Sequence, residues 1–166
     1  MNIFLHSLVA ALAPLIIGFI WYNPKVFGTA WMNSIGKTPE QLREGSNFAK
    51  MMILTYVFSL LVALFMNGMV VHQYGIFSLL ANNPESQLPG ANIELMLNGQ
   101  SIAWKDSFRT FGHGAFHGTL AGIFLAIPIV GLNAIYERRG AKYIFINAGY
   151  WTVSMAIMGG IICGWV

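Results

Sequence analysis

The chain has 166 residues, 56% of them hydrophobic and only 9% charged, against about a quarter charged in soluble domains. That balance excludes an ordinary soluble domain, and a single cysteine, Cys163, excludes an intrachain disulfide. The net charge of +3 does not point to nucleic acid, because the basic residues lie in connections between apolar windows, where membrane topology explains them.

Four windows, 3–22, 51–71, 111–136 and 143–166, contain no Asp, Glu, Lys or Arg. Each reaches the roughly 20 apolar residues that cross hydrocarbon as a helix. They predict an all-α integral membrane protein with four transmembrane helices, forming one membrane domain over 1–166. The first window is expected to be retained rather than cleaved: it lacks a basic start, His6 interrupts it, and Ala11-Leu12-Ala13 runs into Pro14. Pro14 removes one backbone donor and predicts a kink near mid-membrane.

The first helix ends at Trp21 and Tyr22, read as an aromatic belt pair, before Asn23 and Pro24 stop it. The apolar residues Val26, Phe27, Trp31, Met32 and Ile35 then suggest a short helix lying in the interface. Thr38, Pro39 and Gln41 have the spacing of a capping box. The outer loop, about 72–107, is long and rich in turn residues, whereas Glu137 to Lys142 is so short that helices three and four must form an antiparallel hairpin.

Lys25, Lys37, Arg43 and Lys50 lie in the first connection and Arg138, Arg139 and Lys142 in the third, with only Lys105 and Arg109 in the second. The positive-inside rule then puts connections one and three in the cytoplasm and both termini outside, in a multi-pass membrane protein. Ala49-Lys50 and Met66-Asn67-Gly68 match Ala141-Lys142 and Met158-Gly159-Gly160 at a constant displacement, compatible with two parallel two-helix repeats.

The segment GFIWYNPKVFGTAWM, Gly18 to Met32, resembles the signature of the small four-helix membrane proteins grouped as domain of unknown function 1761. The residues that carry the resemblance are Trp21, Tyr22, Pro24, Phe27, Gly28 and Trp31. It implies the four-helix layout and a bacterial inner membrane as its location, and brings no catalytic residue. Physically the motif reads as an anchor: an aromatic belt, a helix stop and a return to the interface.

The third window opens with FGHGAFHGTLAG, which separates into two faces. Gly114, Gly118 and Gly122 form overlapping GxxxG patterns, and Ala156, Gly160 and Gly164 offer the same spacing on the fourth helix. A turn near residue 139 would pair Gly114 with Gly164, Gly118 with Gly160 and Gly122 with Ala156. On a neighbouring face Lys105, Arg109, His113 and His117 recur every four residues, descending from the outer surface. His6 and His72 are expected at the same level.

Ionisable groups inside a membrane helix suggest function. Three readings of the histidines stay open. They can bond to carbonyls of neighbouring helices, including those freed by Pro14 and Pro128. They can bind zinc, since His113 and His117 have a ligand spacing that His6 or His72 could complete with Asp106, Glu94 or water; Met66, Met69, Met155 and Met158 would favour copper(I). They can line a path for an anion, a lipid headgroup or a proton, with Arg109 at its mouth. Haem does not fit, because ligands one turn apart on one helix cannot take opposite faces of a porphyrin. No hydrolase triad or phosphate loop stands out. The partners expected are the lipid bilayer and a homo-oligomer or larger membrane complex, with no nucleic acid. The function that follows is a noncatalytic ligand- or lipid-binding module or an accessory subunit, with a metal-binding protein or a small transporter as the alternative.

Overall fold

In the computed structural model, which describes residues 3–75, 78 and 107–165, the first span is two helices. α1 (Ile3–Ala10) stops and α2 (Ala13–Trp21) restarts across Ala11 and Leu12. Pro14 sits in the first turn of α2, where a missing N–H leaves nothing unsatisfied, so the predicted kink is a local break. A wide turn, Pro24–Gly28, follows under a cap from Asn23, whose side chain accepts from the Lys25 amide at 2.9 Å.

α3 (Thr29–Ile35) ends at Gly36, whose φ of 68° is a left-handed conformation that a Cβ disfavours. The expected capping box then forms at α4 (Pro39–Arg43): the Gln41 amide donates to Thr38 Oγ1 at 3.3 Å, and the Thr38 amide to Gln41 Oε1 at 2.9 Å.

The second span is α5 (Phe48–Val70). It begins earlier than residue 51 because Asn47 supplies an N-cap, accepting from the Lys50 amide at 2.9 Å. The third combines α6 (Phe111–Ala121), a wide turn over Gly122–Ala126 and α7 (Ile127–Tyr136). The wide turn leads into Pro128, which cannot donate to the Phe124 carbonyl; such a turn is a usual response to an interrupted ladder. α8 (Ala141–Gly164) is the fourth span. The link before it closes α7 with a left-handed Arg138, φ 55°, and bonds from the Arg138 amide to Ile135 O and from the Arg139 amide to Ala134 O at 3.1 and 2.8 Å.

Among the described residues there is no strand, and four helices are long and apolar enough to cross a membrane. The chain is a multi-pass membrane protein, all-helical among the described residues. Most of the outer loop, with Glu94, Lys105 and Asp106, lies outside the described residues.

The packing is small inside and large outside. Ala10, Ala11, Ala13 and Ala63 are buried with Met66, Val70, Met158 and Ile162, whereas Phe19, Phe58, Phe65, Phe124 and Phe145 point outward. Lipid is as apolar as those rings, so large side chains gain nothing by turning inward, while small residues let backbones approach. Met66 and Met158 therefore serve the core, which removes two of the thioethers that the copper reading would use.

The third and fourth spans pack closely, but not in the register expected from a turn at residue 139. A Cβ on Gly114 would strike Gly159 and Cys163, one on Gly118 would strike Met155 and Ala156, and one on Gly122 would strike Thr152. Gly160 and Gly164 face Phe111 instead: a Cβ on Gly160 would meet the ring, and one on Gly164 the Phe111 amide. The contacts on α8 fall four to five positions nearer the hairpin than expected, and the wide turn Gly122–Ala126, which adds about one residue to the third span, accounts for only part of that displacement. Counting equally from the hairpin in both directions overshoots on α8.

Candidate functional site

The two ends of the bundle are built differently. At the hairpin end the motif residues tie the first span to the fourth. The Trp21 indole donates to Ile146 O at 3.0 Å, and the Tyr22 hydroxyl donates to Asn147 Oδ1 at 2.9 Å. Tyr22 also meets the rings of Trp31 and Tyr150, each at 5.2 Å, and Trp21 meets Phe27 at 4.5 Å.

Gly28 is buried because its backbone returns onto Tyr22 and Asn23: a Cβ there would collide with the Tyr22 carbonyl. Pro24 opens that turn, and its carbonyl accepts from Thr29 Oγ1 at 3.0 Å. Beyond the belt role expected of Trp21 and Tyr22, both side chains make contacts across the bundle. Their polar tips find partners inside the protein, and the motif acts as a tertiary bracket.

The other end collects the histidines. α5 carries His72 just beyond its last turn, after Val71 turns the chain to φ −110° and ψ 95°. α6 carries His113 and His117 one turn apart, after Thr110 caps it by accepting from the His113 amide at 3.2 Å. One nitrogen from each of the three rings lies within 4.8 Å of the others. The Nε2 atoms of His72 and His113 are 2.9 Å apart, sharing one hydrogen, and the ring centroids of the trio are separated by 4.6 to 5.1 Å. His72 is exposed and the other two half-buried, so the cluster opens at the end of the bundle.

The donor geometry can be weighed against a metal. Four-coordinate zinc holds nitrogen at about 2.0–2.1 Å, which sets neighbouring ligand nitrogens about 3.3 Å apart. The 2.9 Å pair and the 4.8 Å limit bracket that spacing, so the three nitrogens lie in the range such a set needs. Three neutral imidazoles suit zinc and related divalent ions and leave a fourth position for water.

Two expected members of this region stand elsewhere. His6 is buried in a separate polar knot: its Nε2 lies 2.7 Å from Asn67 Oδ1, while Asn67 Nδ2 donates to Ser7 Oγ and Ala63 O at 2.9 and 2.8 Å. Arg109 does not stand at the mouth of a histidine path. Its guanidinium is buried against the end of α8 and donates to Cys163 O at 2.9 Å, Ile162 O at 3.4 Å and Trp165 O at 2.6 Å. Those carbonyls lack intrahelical donors, and arginine is a good cap for them. The four-residue spacing of Arg109, His113 and His117 predicts one ladder, but Arg109 lies before the helix starts and follows different geometry.

Sequence reading missed Phe108. Its φ of 62° is left-handed, a conformation costing roughly 1–2 kcal/mol for a residue with a Cβ. The ring is exposed and lies 5.1 Å from His113 and 6.4 Å from His72, beside the trio. Cys163, remote in sequence from every histidine, touches the segments that lead to two of them: its Sγ is 3.2 Å from Phe108 O and 3.3 Å from Val70 O. No pattern in the sequence marks either residue.

Comparison with curated proteins and with solved structures finds no match. A family model described as "Protein of unknown function (DUF1761)" matches residues 5–163. That match covers nearly the whole chain, reaching into all four spans and including the Trp21-Tyr22 bracket. The chain belongs to the DUF1761 family of proteins of unknown function.

Proposed function

We propose that the protein is a noncatalytic metal-binding module of the membrane, holding one divalent ion of the zinc class at His72, His113 and His117. The observation that carries this reading is the convergence of three imidazole nitrogens within 4.8 Å from segments 41 residues apart. Two of them share a helix face by spacing alone; the third is brought by another span. Neutral imidazole is the form that ligates, and the exposed face leaves water access to the remaining coordination position. Asp106 and Glu94, considered as further ligands from sequence, lie outside the described residues.

The decisive experiment is metal analysis of detergent-purified protein after zinc loading and desalting. One equivalent in the wild type and none in a His113→Ala, His117→Ala double variant is the expected result; no stoichiometric metal in the wild type defeats the proposal.

The site faces the outside of a bacterial cytoplasmic membrane. This placement rests on the charges of the hairpin end, where the first and third connections hold Lys25, Lys37, Arg43, Lys50, Arg138, Arg139 and Lys142. A single cysteine introduced at Lys37, in a Cys163→Ser background, reacts with an impermeant thiol reagent in inverted vesicles and not in intact cells. The opposite pattern reverses the topology.

A further inference from the structure

Two of the three ligands depend on short segments that α8 holds together. His72 follows Val70 by two residues, and His113 lies in the first turn after the segment Phe108 to Thr110. The end of α8 contacts both. Cys163 Sγ stands between Val70 O and Phe108 O, at 3.3 and 3.2 Å, so one sulfur touches the backbone leading to each ligand.

Arg109 closes the arrangement from the other direction. It comes from the segment that leads into α6, and its guanidinium donates to the carbonyls of Ile162, Cys163 and Trp165. Phe108 lies between these attachments in its left-handed conformation, its carbonyl accepting from the Thr110 amide at 2.9 Å as well as from Cys163. Residues persist in such conformations when their surroundings over-determine them, often near functional sites. The Gly114 backbone also sits directly against Cys163 and Gly159, which fixes the first turn of α6 at the same level.

We infer that Arg109 and Cys163 form a positioning clasp that sets the distance between His72 and the His113–His117 pair, and so tunes the metal affinity of the trio. This inference rests on the metal reading of the site. Neither clasp residue ligates the ion. Cys163 is buried and engaged with carbonyls, and Arg109 acts through the backbone it holds. Residues that orient ligands from behind change affinity more than they change stoichiometry.

The test uses the whole detergent-solubilised protein and cobalt(II), read by its visible absorption. Cys163→Ala and Arg109→Gln are expected to weaken cobalt binding by about 10–100-fold while keeping one equivalent at saturation. Cys163→Ser, which keeps a donor at the same place, is expected to recover affinity to within about threefold of wild type. Asn67→Ala breaks the separate His6 knot and controls for general loosening; thermal unfolding of every variant is measured alongside. A fall in affinity with Asn67→Ala equal to that with Cys163→Ala makes the effect one of stability and overturns the clasp. Unchanged affinity in both Cys163→Ala and Arg109→Gln overturns the clasp and leaves the metal site standing. Absence of cobalt binding by the wild type overturns both.

Discussion

Replacing Gly118 with leucine is expected to prevent the third and fourth spans from seating, lowering stability by about 3 kcal/mol or more. A Cβ at this position would lie 2.7 Å from the Met155 carbonyl carbon and 2.8 Å from the Ala156 Cα. Backbone cannot turn aside as a side chain can. The helices must separate, and the close contacts at Gly114 and Gly122 separate with them. Gly131→Leu is the control, because a Cβ there meets nothing within 4 Å. Gly160→Leu falls between the two: its nearest neighbour is the Phe111 ring, which can swing away. Thermal unfolding in one detergent checks the order Gly118, Gly160, Gly131; equal stability of the Gly118 and Gly131 variants refutes the seam.

Single removal of His72, His113 or His117 is expected to lower zinc affinity by at least about 100-fold, more than loss of a supporting residue does. Losing one of three ligands leaves two imidazoles, which water cannot fully compensate. His6→Ala is the contrasting variant: it disrupts the knot with Asn67 and leaves affinity near the wild-type value. Binding also requires unprotonated rings, so protons compete with the ion. Apparent affinity is expected to fall at least about tenfold from about pH 7.5 to about pH 5.5, as metal affinity falls wherever ligands must lose protons. Isothermal titration at the two pH values checks the sign. Affinity independent of pH means that the imidazoles are not the ligands.

The sequence by itself determined the number of spans, the shortness of the hairpin and the capping box at Thr38. These follow from local physics: hydrocarbon admits only long runs without charge, and caps depend on neighbours three residues away. It also put His113 and His117 on one helix face, since four residues make just over one turn.

Only the tertiary structure decided the rest. Asn67 draws His6 into one polar knot while His72 joins the other pair, and nothing in a helical period distinguishes the two histidines. Arg109 continues the period of His113 and His117 but serves the end of α8, because the helix begins only after Thr110. Trp21 and Tyr22 suit a lipid interface by type, yet Ile146 and Asn147 offer them hydrogen-bond partners inside the bundle. The glycine faces were visible as patterns, but their register depended on how the two spans meet, and the wide turn before Pro128 is only one contribution to it. Local periodicity fixes which residues share a face; which faces meet, and at what height, depends on spans far apart in the chain.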